Sequence, residues 1–234
     1  MRSSVVATLL CLTAVPAAAH FKLVAPQAMN QQNASGDPQK SAPCGQDDIG
    51  DPWVPTNAVT TVQTGSMLTV TIDETIYHPG HYRVALAPTM NDLPADPPVT
   101  SSQQTACASV PIQSPPVFPV LADGMLAHTA PFAGQRSFQV QLPAGMECEN
   151  CVLQVIEWMS NHGAPCFYHH CSTVTISNAA PPPPDAGVTP DSGGGGGGVD
   201  DPGGCCGVGA GAPGSALLAL GIVALVTRRR RSSH

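Results

Sequence analysis

Charge and aromatic side chains are both scarce in this chain. Only 11% of its 234 residues are Asp, Glu, Lys or Arg, and only 4% are aromatic. So few charges cannot solvate the outer faces of a long helix or a coiled coil, and those architectures are excluded. Basic residues are the scarcest: 9 Lys and Arg stand against 16 Asp and Glu, a net charge of −7, and no basic patch precedes the last few residues. A nucleic-acid binder depends on such a patch, so nucleic acid is excluded as a partner. P-loop, GxSxG and HExxH motifs are all missing, which removes the commonest phosphate, acyl-transfer and zinc-protease sites. Turn formers are abundant instead: 23 glycines and 25 prolines, about a fifth of the chain against roughly 12% in average usage. Nine cysteines point to an oxidising compartment.

The two ends read as processing and address signals. Arg2, the apolar run Val5–Val15 and the small residues Ala17, Ala18 and Ala19 form a secretory-signal pattern over residues 1–19. Cleavage after Ala19 makes His20 the first residue of the mature protein. Residues 179–204 carry four consecutive prolines and six consecutive glycines, a linker that is stiff and then floppy. Residues 205–234 form a tail: Cys205-Cys206, an apolar stretch Ala216–Val226, and Arg228–Arg231. The apolar stretch is about half of the roughly 20 residues a spanning helix needs. The arginines should stay on the cytoplasmic side. This tail resembles the C-terminal sorting tails of myxobacterial surface proteins. The resemblance implies that a surface sorting machinery recognises the tail and cuts it near the cysteines. The protein is then held at the cell surface or outer envelope, with membrane contact through the tail alone.

Between these ends lies one domain, residues 20–178. Leu68, Val70 and Ile72 alternate with polar neighbours, as do Tyr82, Val84 and Leu86, and Phe138, Val140 and Leu142. Val152–Met159 is apolar at both parities, so both faces of that strand are covered; Val174 and Ile176 close the domain. These β-branched runs, bounded by Pro, Gly and Asn, predict an all-β fold: an immunoglobulin- or fibronectin-III-like antiparallel β-sandwich. Residues 27–66 and 88–132 read as long irregular loops. The domain holds six cysteines, which allow fifteen pairings. Cys148–Cys151 is a CxxC, which in a secreted chain reads as a disulfide rather than zinc. Lys22, Lys40, Arg83 and Arg136 are its only Lys or Arg, so an acidic surface with few ion pairs is expected.

Histidine is the distinctive residue type: His20, His78, His81, His128, His162, His169 and His170. An N-terminal histidine offers its α-amine and its ring Nδ1 to the same metal. The amine has an ordinary pKa of about 7.7–8.0 and gives up its proton to a metal near neutrality. One further imidazole completes a T of three nitrogens, a set that suits Cu(II) and leaves positions open for oxygen. The plain alternative is a mature terminus that happens to be His. His128 has no motif around it and reads as solvated.

His20-Phe21-Lys22-Leu23-Val24-Ala25-Pro26 resembles the mature start of the histidine-brace proteins, the lytic polysaccharide monooxygenases and their non-degradative copper-binding relatives. Pro43-Cys44-Gly45 is similar to an early Cys-Gly motif of several of these families. Thr75–Arg83, which contains His78 and His81, falls at a strand end where they carry the second copper histidine. Cys148–Gln154 resembles their C-x-N-C-x-L-Q strand, and Phe167–Cys171 their closing Tyr-x-x-Cys strand. The resemblance implies one copper ion held by His20 and His78, with His81 as the alternative ligand or a group beside the metal. It puts Tyr168 or Phe167 at the axial aromatic position. His162 falls where some members have a histidine that hydrogen-bonds bound oxygen. His169 and His170 alternate, so at most one shares a side with a given ligand, and His170 is kept as a group beside the metal. The resemblance also implies a Cys44–Cys171 disulfide, with Cys107, Cys148, Cys151 and Cys166 forming two more in an open order.

Three functions fit these features. The first is oxidative cleavage of a polysaccharide such as chitin or cellulose. The second is copper handling with the same brace and no turnover, and the third is a metal-free adhesion module. Ten aromatics in the chain, with only Tyr77 and Tyr82 flanking His78, weigh against a sugar-stacking surface.

Overall fold

A computed structural model describes residues 20–46 and 50–179. The signal, nearly all of the linker and the tail lie outside the described residues. No helix among the described residues is long and apolar enough to cross a membrane. The strands are β1 (His20–Ala25), β2 (Val59–Gln63), β3 (Met67–Ile76), β4 (Gly80–Ala87), β5 (Val120–His128), β6 (Arg136–Gln141), β7 (Cys148–Met159) and β8 (Phe167–Ser177). A single 3-10 turn, Met90–Asp92, is the one helical element among the described residues.

The strands form a sandwich of a three-stranded sheet, β1-β3-β6, and a five-stranded sheet, β2-β8-β7-β4-β5. The all-β sandwich is therefore as the sequence predicts, with one exception in direction: β2 runs parallel to β8. Two strands fall inside the segments read as loops. β2 is an edge strand with no fully buried side chain, so it carries almost no apolar alternation. The apolar pattern of β5 is broken by Asp123-Gly124, and its pairing with β4 shifts register three times.

The core lies where the inner faces meet. Phe21, Leu23, Val70 and Ile72 from the small sheet pack against Tyr82, Val84, Leu86, Leu153, Val155, Val174 and Ile176 from the large one. Each large apolar side chain so buried contributes about 1.5–3 kcal/mol. The outer face of the large sheet is covered too, by loops that bring Met29, Trp53, Met90 and Leu93 over Val152, Cys44 and Cys171. Both parities of β7 are accordingly buried. Disulfides join Cys44 to Cys171, Cys107 to Cys166 and Cys148 to Cys151. The first closes a separation of 127 residues, a constraint of about 4–5 kcal/mol in the chain-entropy account.

Three chain segments meet at one end of the sandwich. His20, opening β1, lies opposite Ile76 at the end of β3. The β3–β4 turn then delivers Gly80 opposite Met159 at the end of β7, and β8 returns with Phe167 opposite Trp158. Gly80 is required there, because a Cβ would lie 1.8 Å from the Trp158 carbonyl oxygen. The backbone carrying His78 is thereby pressed against β7.

Candidate functional site

At that end four rings make a continuous run. The His20 ring meets Tyr168 edge-on at 5.2 Å between centroids. Tyr168 lies 6.4 Å from His162, and His162 lies 4.7 Å from His78. All four are buried, Tyr168 to 2% exposure and the histidines to 6–7%. The start of β1, the β3–β4 turn, the β7–β8 connection and the start of β8 each contribute one ring.

His20 is oriented from outside the run. Its Nε2 lies 3.2 Å from a carboxylate oxygen of Asp37, itself buried and 3.5 Å from Lys40 Nζ through its other oxygen. Gly36 makes this approach possible. Its φ is +111°, and a Cβ would sit 2.1 Å from the Phe21 carbonyl oxygen, so only glycine lets the loop close against β1. With Nε2–H donated to Asp37, Nδ1 is the nitrogen left for a metal.

His78 is held in its neutral form. Burial pushes its pKa below 6.5 and the neighbouring His162 pushes it the same way, against weaker opposing effects of the Ser160 backbone and Glu74. Its Nδ1 is buried without a hydrogen-bond partner. A buried neutral imidazole with an unsatisfied nitrogen is costly unless something coordinates it. The Nδ1 of His162 faces the carbonyls of Gly163 and Pro165. Carbonyls only accept, so Nδ1 carries the hydrogen and Nε2 is the acceptor nitrogen of that ring.

The remaining candidates lie elsewhere. His81 is on the outer face of β4, 5.1 Å from the Trp158 ring and 3.7 Å from Asp123. Strand alternation sends Phe167 to that same outer face, opposite Trp158, while Tyr168 faces His20. His170 shares the inner face with Tyr168 but sits deeper; its Nε2–H donates to the Phe21 carbonyl at 3.0 Å, and burial lowers its pKa to about 4.

Two expectations are overturned. His128 is not solvated: its Nε2 lies 2.7 Å from Glu74 and its Nδ1 2.9 Å from the Leu126 carbonyl. Pairing of the acids is not sparse either, because histidine nitrogens meet the carboxylates that Lys and Arg do not. Asp37, Glu74, Asp96 and Asp123 each lie within 4 Å of a histidine nitrogen. Sequence reasoning singled out none of these acids. The available signal was the imbalance itself, many acids and many histidines with almost no lysine. Glu157 was missed as well. It is fully buried on β7, in register with Tyr82 on one side and Tyr168 on the other. Burial, then the charge of Glu74, holds its carboxyl well above the usual range.

No three His, Cys, Asp or Glu side chains cluster into a metal cage among the described residues. A brace requires only two such side chains, because an amine supplies its third nitrogen. The residues present fit it: His78 has an unsatisfied buried nitrogen, and Asp37 leaves His20 Nδ1 to coordinate.

The family model described as "Lytic polysaccharide mono-oxygenase, cellulose-degrading" matches residues 13–174. The chain belongs to this family. A lytic polysaccharide monooxygenase from Thermobia domestica, solved in the Cu(I) state, is similar in structure. Its TM-score is 0.47 at 16% identity, over 68% of this chain and 100% of that one. A search of curated proteins finds no match. As a lytic polysaccharide monooxygenase family member, the chain is of a polysaccharide-oxidising type. His20 and His78 both lie inside the matched span.

Proposed function

We propose that the secreted chain, cleaved before His20, is a copper-dependent lytic polysaccharide monooxygenase held at the cell surface by its tail. One copper ion is held by the His20 α-amine, His20 Nδ1 and His78. The observation that supports this most directly is the unbroken run of rings His20–Tyr168–His162–His78 at one end of the sandwich. When bound, copper supplies the one-electron and oxygen chemistry that attacks a C–H bond beside a glycosidic linkage.

The chain's own residues set the conditions. Asp37 accepts from His20 Nε2–H and fixes the tautomer in which Nδ1 carries the lone pair. His78 is kept neutral by burial, so it enters coordination without first losing a proton. His162, its Nδ1–H turned to the Gly163 and Pro165 carbonyls, would offer Nε2 to the same cluster as a hydrogen-bond acceptor. Tyr168, buried edge-on against His20, closes the inner side of the cluster and excludes water there. The substrate is a polysaccharide of the cellulose or chitin type.

A second reading, copper handling without turnover, draws on one observation. Tyr82 is fully buried, the Tyr77 ring is packed edge-on against His128 at 5.9 Å, and the exposed Phe118 lies at the far end of the sheet, where Pro119 accepts from Leu86. None of the three gives the candidate site a stacking platform.

The test compares protein beginning at His20 with protein retaining Ala19. The first should bind one Cu(II) at least 100-fold more tightly and release oxidised oligosaccharides from cellulose or chitin with a reductant. Equal affinities would overturn the brace. Tight binding with no oxidised product would establish copper handling instead.

A further inference from the structure

The connection from β7 to β8, residues 160–166, has no buried apolar residue of its own. Asn161, Gly163, Ala164 and Pro165 are exposed, and His162 is the one buried residue in it. The position of the His162 ring must therefore come from what the backbone around it is tied to.

Those ties are specific. The Met159 N–H donates to the Cys166 carbonyl at 3.0 Å and closes the base of the connection. Ser160 donates its backbone N–H at 2.8 Å and its hydroxyl at 3.0 Å to the carbonyl of Pro79, the residue after His78. The backbones that carry the two imidazoles are thus bonded to each other. A second element approaches from residues 100–109, a loop closed on itself by a β-bridge between Thr100 and Ser109. Its Thr105 hydroxyl donates to the His162 carbonyl at 2.6 Å, and the Cys107 N–H donates to the same oxygen at 3.2 Å. The Cys107 carbonyl accepts from the Asn161 N–H at 2.8 Å, and the Cys107 sulfur is bonded to Cys166. Each of these four bonds ends between residues 161 and 166.

The arrangement holds the ring as well as the chain. Two donors occupy the His162 carbonyl, so its peptide plane cannot turn without breaking both hydrogen bonds. The ring Nδ1–H meets the Gly163 and Pro165 carbonyls inside the same clamped stretch. Rotation of the ring would break those bonds too, and the ring stays edge-on to His78 at 4.7 Å between centroids.

We propose that Thr105 and Cys107, the latter through its bond to Cys166, are positioning residues for the metal centre: they clamp the His162 ring in place against His78. The inference rests on the copper reading and adds to it a loop that lies outside the run of rings.

The test uses protein beginning at His20 and two readouts. In metal-free protein, the proton magnetic resonance signal of the His162 ring Nδ1–H should be sharp in the parent and in Thr105→Ser, which keeps the hydroxyl. It should broaden in Thr105→Val and vanish in Cys107→Ala/Cys166→Ala. With Cu(II) bound, Thr105→Val and the cysteine pair should each move the electron paramagnetic resonance spectrum toward that of His162→Ala and weaken binding at least threefold. In a His162→Ala background the same changes should add almost nothing, because residues that act through one partner are not additive. Thr105→Val keeps the test valid if the cysteine pair does not fold. A ring signal and spectrum unmoved in Thr105→Val, or effects undiminished in the His162→Ala background, would overturn the clamp; tight copper binding by the parent would then still uphold the copper reading. No copper binding by the parent would overturn the copper reading instead, and the ring signal would still show whether Thr105 and Cys107 hold His162.

Discussion

Two sets of histidines share this sandwich, and they differ in what their rings touch. His81, His128 and His169 each face a carboxylate, Asp123 at 3.7 Å, Glu74 at 2.7 Å and Asp96 at 2.8 Å. These pairs tie loops and strand ends to the large sheet, in a domain with almost no lysine to do so. His78 and His162 face each other, and Tyr168 links them to His20. His20 in this second set meets a carboxylate, Asp37, on Nε2, the nitrogen a chelate does not use. An imidazole whose nitrogen meets a carboxylate is satisfied within the fold. Two packed imidazoles, one with a buried unsatisfied nitrogen, are costly as a purely structural device.

Substitution is the strongest way to break that division. His78→Ala should lower Cu(II) affinity at least 100-fold in protein beginning at His20. His81→Ala, His128→Ala and His169→Ala should each lower it less than threefold. The ranking should invert for folding: each of those three leaves a carboxylate without its partner and should cost about 1–3 kcal/mol in metal-free protein. Calorimetric titration with copper and urea unfolding of the same variants read the two quantities. A large copper effect at His81 would move the ligand three residues along the chain.

Proton linkage sharpens the contrast. Burial lowers the His170 pKa to about 4, against 6.5 in an unfolded chain. The unfolded state therefore binds the extra proton first, and stability is lost as pH falls from about 6.5 to about 4. The loss is about 3 kcal/mol. His128 has the opposite sign. Burial alone would lower its pKa, but the hydrogen bond to Glu74, with the Leu126 carbonyl on the other nitrogen, raises it overall. Its contribution is complete below 6.5 and is lost as pH rises through the raised value. Urea midpoints of metal-free protein from pH 4 to 8.5 should show both limbs. His170→Asn should flatten the acid limb and His128→Asn the alkaline one. An acid limb unchanged in His170→Asn would show that other groups carry it.

The sequence exposes those parts of the fold and site that obey a local rule. Period-two alternation marks β3, β4 and β6, each with one face in the core, and an apolar run at both parities marks β7, which is covered on both faces. It fails at β2, which buries no side chain fully, and at β5, where Asp123-Gly124 interrupts the pattern. His20 and His78 are legible because each sits in a motif, one at a cleavage site and one at a strand end. Asp37, Glu74, Asp96 and Asp123 are not, since each meets its histidine across 17 to 73 residues of chain. Pairing over such distances has no local signature.

The smallest expected effect concerns the one acid that the brace set has recruited. Asp37 contacts His20 from outside the ring run, and Lys40 holds its other oxygen. Its proposed work is to accept Nε2–H, which sets the tautomer and makes Nδ1 a stronger donor. Removing the acceptor with Asp37→Ala should lower Cu(II) affinity about 10–100-fold, the usual range for a partner that orients a ligand. Asp37→Asn keeps an acceptor oxygen while losing the charge, so it should recover most of this and stay within about tenfold of the parent. A role confined to packing would give a different pattern: both variants would shift the melting temperature of metal-free protein and leave copper affinity and the Cu(II) spectrum alone. Affinity falling in Asp37→Ala and recovering in Asp37→Asn would show that the carboxylate belongs to the copper set. No change in either would return Asp37 to the other company, an acid that fastens a loop to a histidine and nothing more.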